Sequence, residues 1–313
     1  MTNHSKYFSL IAAIMPLSIV AISALFILSC SSEREKYLFR YKYGAPGKTV
    51  NVIQTTNQSG TIFKNDKWVS DIDWTSYTYL TLKTSEILDD NTYIMDVFYN
   101  TENKDLSESN FVVKFPDSTC ENVYHLHTTD RDSVINIEFP ANGPSEDRIN
   151  YYKTISSPCY ANFPKEAIAP GHKWRMSIPS VMLNGDTAIS VLDYVFKGFT
   201  KKKGYDCALI EIKAEIAAAF LSDPGDSSLT QREEWHTVKG MMYFSLEHGW
   251  PVQLNFSSHV LSHRQKRDAL EYYIDDNGDK IDIPESEREI TDMFFKVEYD
   301  ENTSFVYSGI ESH

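Results

Sequence analysis

The chain has 313 residues, with 30 lysines and arginines against 44 aspartates and glutamates, a formal net charge of −14. A surface of that sign repels nucleic acid phosphates and anionic headgroups, so neither is expected as an electrostatic partner. With 42% hydrophobic residues the chain can bury a substantial core, and its length allows one large or two small domains.

At the N-terminus Lys6 is the only lysine or arginine before an uncharged run from Tyr7 to Ser29, which leads into Ile27-Leu28-Ser29-Cys30-Ser31-Ser32. This segment resembles the type II signal peptides of bacterial lipoproteins, with Ile27 and Ser29 at the matching positions and Leu28 bulkier than usual. The resemblance implies cleavage before Cys30 and acylation of its thiol by a fatty chain such as palmitate. It also implies a lipid-anchored place in the bacterial cell envelope. The run approaches the roughly 20 residues that cross a bilayer as a helix, so a retained anchor is one alternative and a plain secreted product another. In each case residues from Ser31 onward lie outside the cytoplasm. The expected organisation is a signal peptide at 1–29, a lipidated tether at 30–36, an N-terminal β half at 37–150 and a C-terminal β half at 151–313. Loss of residues 1–29 removes one lysine and no acid, leaving 29 basic against 44 acidic groups, a charge of −15.

Cys120, Cys159 and Cys207 remain. An oxidising envelope permits one disulfide, for which Cys120 with Cys159 is the expected pair, and Cys207 inside a strand-like run is the expected buried thiol. No histidine context marks any of the three as an activated nucleophile.

In chain order, Tyr37, Phe39, Tyr41 and Tyr43 recur with period two and predict a first strand starting near Tyr37. The Tyr-, Thr- and Leu-rich run from Trp74 to Ile87 is followed by Asp89-Asp90-Asn91. Alternation of Tyr93, Met95, Val97 and Tyr99 then completes a predicted hairpin. Residues 140–164, with Asn142-Gly143-Pro144 and Ser157-Pro158, form the best boundary between the halves. A second hairpin is predicted from Ser190 to Ile216, turning at Lys201-Lys202-Lys203-Gly204. Its return strand places Ala208, Ile210, Ile212, Ala214 and Ile216 on one face. A third joins Met242–Leu246 to Val252–Phe256 through Gly249 and Pro251. Ser262 to Tyr273 and Pro284 to Glu289 are the two helix candidates. Met293, Phe295, Val297 and Tyr299 close the pattern. The expected fold is all-β and mostly antiparallel, a curved sheet, half-barrel or barrel with few short helices, in which two related halves are conceivable.

The spacing of Phe39-Arg40-Tyr41-Lys42-Tyr43-Gly44, Pro170-Gly171-His172-Lys173-Trp174, Tyr194–Gly198, Gly204–Ala208, Gly240 and Gly249 resembles that of uncharacterised β-rich bacterial envelope proteins. That resemblance implies a twisted antiparallel sheet curled into a barrel or half-barrel and supplies no catalytic residue. Within it, Pro170-Gly171 reads as a turn and Trp174 as core of the strand that follows.

Chemistry is thinly marked. His125 with His127, and His259 with His263, share strand faces but lack a named third metal ligand, so they read as surface histidines. Asp275-Asp276-Asn277-Gly278-Asp279-Lys280-Ile281-Asp282 is rich in oxygen ligands. A calcium loop with Gly278 in the glycine position would nevertheless begin at Tyr273 and end at Pro284, which lack the needed carboxylates. An acidic turn at Asn277-Gly278 is the better reading. No nucleophile elbow, phosphate loop, dinucleotide fingerprint or metalloprotease motif is present. The sequence therefore names no catalytic, cofactor or metal residue. Its reading is a non-catalytic binding or structural module, tethered to the membrane at Cys30, for an apolar or amphipathic ligand or an envelope protein. The alternative is a hydrolase of envelope polysaccharide or peptide.

Overall fold

The computed structural model describes residues 35–88, 92–103, 123–131, 134–138, 146–156, 161–220, 230–269, 272–274, 280–284 and 290–308. Cys30, Cys120, Cys159, the turn at 89–91 and residues 275–279 and 285–289 lie outside them. The chain divides into Met1–Tyr37 and Leu38–His313, and among the described residues the second unit holds every strand and the helix.

Its elements are β1 (Thr49–Lys64), β2 (Lys67–Ile87), β3 (Thr92–Asn103), β4 (Val123–Thr129), β5 (Val134–Glu138), α1 (Glu146–Ser156), β6 (Lys173–Val181), β7 (Thr187–Lys202), β8 (Tyr205–Phe220), β9 (Thr230–Ser245), β10 (Trp250–Ala269), β11 (Tyr272–Ile274), β12 (Lys280–Asp282) and β13 (Ile290–Ser308). Eleven of the strands form one antiparallel sheet in the order β5-β4-β3-β2-β1-β13-β10-β9-β8-β7-β6, while β11 and β12 pair separately. The sheet is thus two five-stranded meanders joined through β13.

The predicted hairpins are present. β2 pairs with β3, and β7 with β8. β9 pairs with β10. The β7–β8 reversal is two residues, Lys203 and Gly204, both at positive φ (50° and 87°), as a type I′ turn requires. Asn65 and Asp66 (48° and 63°) do the same between β1 and β2. Side chains of β8 alternate as expected, with Ala208, Ile210, Ile212, Ala214 and Ile216 buried.

Two local readings are corrected. Ser262 to Ala269 is the end of β10, laddered to β13 throughout and to β9 as far as Lys266, and is not helical. Its two neighbours supply backbone partners that outweigh the charge-rich, helix-compatible composition. The first strand begins at Thr49. The segment before it keeps its alternation, with Phe39, Tyr41 and Tyr43 buried and Leu38 exposed. Its backbone, however, bonds to loops: Tyr41 N donates to Asp130 O at 2.6 Å and Lys42 N to Gly249 O at 3.0 Å.

One helix shows how far the sheet curls. Lys153 of α1 donates to Ile135 O of β5 at 3.3 Å, and Thr154 Oγ1 lies 3.4 Å from Ser180 Oγ of β6. These are the two edge strands, which in a flat sheet would stand about 48 Å apart at 4.8 Å per strand. The sheet is therefore strongly curved and open, with α1 bridging its edges. Curvature is eased at Gly60 and Gly240. A Cβ at Gly60 would come within 2.4 Å of Tyr299 Cβ, and one at Gly240 within 2.8 Å of Phe256 Cβ, so each glycine makes room for a neighbouring aromatic side chain.

Candidate functional site

The inner face, which carries α1 and the core, has three zones along the strands. The first is aromatic. Phe39, Tyr41, Phe163 and Phe244 are buried together, with ring centroids 5.2 Å apart for Tyr41–Phe163 and for Tyr41–Phe244. Trp250 stands edge-on to Tyr43 at 5.3 Å and donates its indole N–H to Lys42 O at 2.9 Å. Arg40 ties the segment down by donating to Pro164 O and Lys165 O while pairing with Asp130 at 3.2 Å. Rings in edge and offset contact, with the Trp250 N–H satisfied, make this end a packed plug.

The second zone is a cavity of about 230 Å³ between the plug, α1 and the sheet. Tyr43, Leu80, Leu126, Ile155 and Phe305 give it apolar walls, and Gln54 and Glu301 are its polar members. Glu301 accepts from Gln58 Nε2 at 2.6 Å and from Thr303 Oγ1 at 2.9 Å. Ser258, paired with Glu301 across the β10–β13 ladder, has a buried hydroxyl with no hydrogen-bond partner among the described residues.

The third zone is ionic. Glu234 of β9 is 1% exposed, yet it is ringed by donors. Arg232 Nε donates to Oε1 at 2.6 Å, His236 Nε2 to Oε2 at 3.0 Å, and the Tyr151 hydroxyl of α1 makes a short bond to Oε2. Arg264 Nη2 of β10 lies 3.7 Å from Oε1, and its Nε donates to Ser262 Oγ at 3.0 Å. Burial pushes the Glu234 carboxyl up, but the His236 hydrogen bond and the Arg232 charge outweigh it and hold the group at about 2. Burial, with the Glu234 charge behind it, raises the Tyr151 and Tyr299 hydroxyls. The Arg264 guanidinium is lowered first by burial and then by the Arg232 charge. The Arg232 guanidinium also lies over the Tyr151 ring at 5.5 Å. The cluster anchors α1 to the sheet, and sequence reading missed it. Arg232, Glu234 and His236 alternate on one strand face, but which strand faces them depends on a register that only the fold supplies.

The histidine pairs are on strands, each ring near a partner on another strand. His125 Nδ1 is 2.9 Å from Asp96 Oδ1, His127 Nε2 is 3.3 Å from Glu138 Oε1, and His259 Nδ1 is 2.9 Å from Asp300 Oδ1. His263 stands edge-on to Trp235 at 5.2 Å. Among the described residues no group of three or more His, Cys, Asp or Glu could hold a metal. Cys207 is a buried free thiol, raised by that burial. Trp174 is half-buried, stacked on Tyr194 at 5.2 Å, with its N–H on Asn162 O.

The outer face is polar along the middle strands. Asn57, Lys239, Asn255, Ser257, Asn302 and Ser304 line a shallow groove of about 550 Å³ there. Membrane-spanning barrels carry an apolar outer band around a polar interior. The outer face of these middle strands is polar instead. Among the described residues no helix is long and apolar enough to cross a membrane.

No family model matches the chain, and no curated protein matches it in sequence. Among solved structures it is similar to Salmonella typhi OmpF in complex with daunomycin, at 7% identity and TM-score 0.25, covering 86% of this chain and 99% of that one. It is also similar to OpdQ of Pseudomonas aeruginosa, at 8% identity and TM-score 0.20, covering 84% and 97%. A third is an outer membrane channel from Pseudomonas putida F1, at 9% identity and TM-score 0.18, covering 84% and 98%.

Proposed function

We propose that the protein is a lipid-anchored envelope lipoprotein, tethered through Cys30, whose curved sheet binds an apolar or amphipathic ligand without changing it chemically. The observation that carries this reading is the apolar cavity of about 230 Å³ with Gln54 and Glu301 as its polar members. Ligand pockets run to about 300–1,000 Å³, so the space suits a small ligand or a single alkyl chain. The signal-like N-terminus supports the location, and the polar outer face suits a tethered domain standing in water.

Lipids extracted from the purified full-length protein and identified by mass spectrometry test the binding, alongside saturation by a fluorescent fatty acyl probe. Leu126→Trp, which places a large ring at the cavity wall, is expected to abolish both while leaving the far-ultraviolet spectrum unchanged. No co-purifying lipid and no saturable probe binding in the wild type would leave a structural or protein-docking role. Turnover of an envelope glycan or peptide that disappears with one carboxylate substitution would establish the hydrolase alternative. Metabolic fatty acid labelling that is equal in wild type and Cys30→Ser would remove the anchor.

A further inference from the structure

Beyond the cavity, the register of the ladder aligns an unexpected set of cations. Arg232 of β9 is the direct cross-strand partner of Arg264 of β10. Arg264 pairs in turn with Phe295 of β13, and Phe295 with Lys64 of β1. Lys64 Nζ lies over the Phe295 ring at 5.9 Å, which places it on the same face. Three cations and one aromatic ring thus form a row across four adjacent strands, with neighbours about 4.8 Å apart. Like charges directly opposite one another destabilise a sheet. In a chain of net charge −14, no general excess of basic residues accounts for the row.

The counter-charge is incomplete. Glu234 is the one carboxylate bonded to the row among the described residues, and it engages chiefly Arg232. Arg264 is further away, at 3.7 Å, and among the described residues Ser262 is its only hydrogen-bond partner, through Nε. Nη1 therefore has no hydrogen bond among the described residues and Nη2 only the longer ion pair with Glu234, and a guanidinium presents these nitrogens in a fork that matches the oxygens of phosphate or carboxylate. The Tyr299 hydroxyl, which feels the charges of Arg232, Arg264 and Glu234, adds a neutral donor on the same face. Access is open: the Arg264 side chain is 32% exposed. It borders a hollow of about 540 Å³ together with Asn65, Asp66, Leu183 and Phe295.

The geometry points to an anion-binding site at this lip of the sheet, in which Arg264, Arg232 and Lys64 take a phosphate or carboxylate group, whether free or carried on a lipid. Glu234 positions Arg232 and keeps part of the cationic charge neutralised when the site is empty. Phe295 supplies an apolar surface beside the bound group. The site stands apart from the cavity, and its assignment holds whether or not the cavity takes a ligand.

The full-length protein in a non-ionic detergent, titrated calorimetrically with inorganic phosphate at constant ionic strength, tests the assignment. A second titration with lysophosphatidate at fixed detergent concentration separates the two sources. Saturable phosphate binding is expected in the wild type, weakened at least tenfold in Arg264→Gln and several-fold in Lys64→Gln. Lys201→Gln, beside the exposed reversal between β7 and β8, is expected to leave it unchanged. Lysophosphatidate binding more tightly than phosphate, and displaced by it, assigns the site to a lipid headgroup; equal affinities assign it to a soluble anion. Near-ultraviolet circular dichroism shows whether each variant keeps its packing. Absence of saturable binding to either probe, or wild-type affinity in both Arg264→Gln and Lys64→Gln with packing intact, overturns the assignment.

Discussion

At one end of β9 and β10, Phe244 and Trp250 sit among the rings of Phe39, Tyr41, Tyr43 and Phe163. About 40 Å along the same strands, at 3.3 Å per residue, Arg232, Glu234 and Arg264 meet Tyr151. Both ends dock a segment from outside the sheet, the first the extended chain at 38–43 and the second the helix α1. The aromatic end holds its segment by buried area and ring contacts, which are insensitive to pH and salt. The ionic end holds its helix through one carboxylate besides the Tyr151–Phe220 ring contact and the Lys153 and Thr154 bonds, and that makes part of the attachment conditional on protonation. The difference teaches which end of the fold is fixed and which responds to its surroundings.

The comparison is broken most forcefully at the aromatic end. Phe244→Ala removes a fully buried ring in contact with Phe39, Tyr41 and Phe163. A loss of about 3–5 kcal/mol is expected, read as a fall in the urea midpoint. A Phe244→Ala protein with an unchanged midpoint would show the plug to be dispensable.

Acid acts next, and only at the other end. Glu234 is held at about 2 against an ordinary 4.5. Because the folded value is the lower one, its contribution is complete above the unfolded value of about 4.5. It is lost as pH falls from there towards 2. The shift corresponds to about 3 kcal/mol. Urea unfolding followed from pH 6 to pH 2.5 should show this loss in the wild type and a flatter profile in Glu234→Gln, which starts lower. Parallel profiles would assign the acid sensitivity to other carboxylates.

Tyr151→Phe sharpens the picture by removing the bond between helix and carboxylate while keeping the ring. A loss of about 1–3 kcal/mol is expected, with faster amide exchange confined to α1. Exchange that rises equally across the aromatic end would mean that the two ends unfold together. As a baseline, Val181→Ser on the edge strand β6, where the side chain is 67% exposed, should change the midpoint by no more than about 0.5 kcal/mol.

Much of the aromatic half of this contrast is legible in the sequence, because period two survives wherever one face of a strand is buried. Ala208 to Ile216 and the Lys203-Gly204 reversal are read correctly for that reason. The segment at 38–43 shows the limit of the rule: its alternation reports one-sided burial, which a strand and an extended plug share. The stretch from Ser262 to Ala269 misleads in the other direction. Its run of charged residues carries no apolar alternation, and the strand persists because β13 ladders it throughout and β9 as far as Lys266. The ionic site was illegible for a related reason. Arg232 and Arg264 are 32 positions apart, and nothing local shows that register sets them opposite one another.

The place of β13 has a consequence for how the chain comes to be folded. Each meander is built from neighbours in sequence and can close locally, and β13 joins β10 from Ala269 opposite Ile290 onward, but the inner edge of β1 has no partner until β13 reaches it, pairing Asn51 with Ser308 across nearly the whole chain. Contacts of such separation form late and slowly. Until then two long strands present bare edges, which are templates for pairing with other copies of the chain. During synthesis, therefore, the centre of the sheet is the last part to exist, and the interval before it forms is when the protein is most exposed to aggregation.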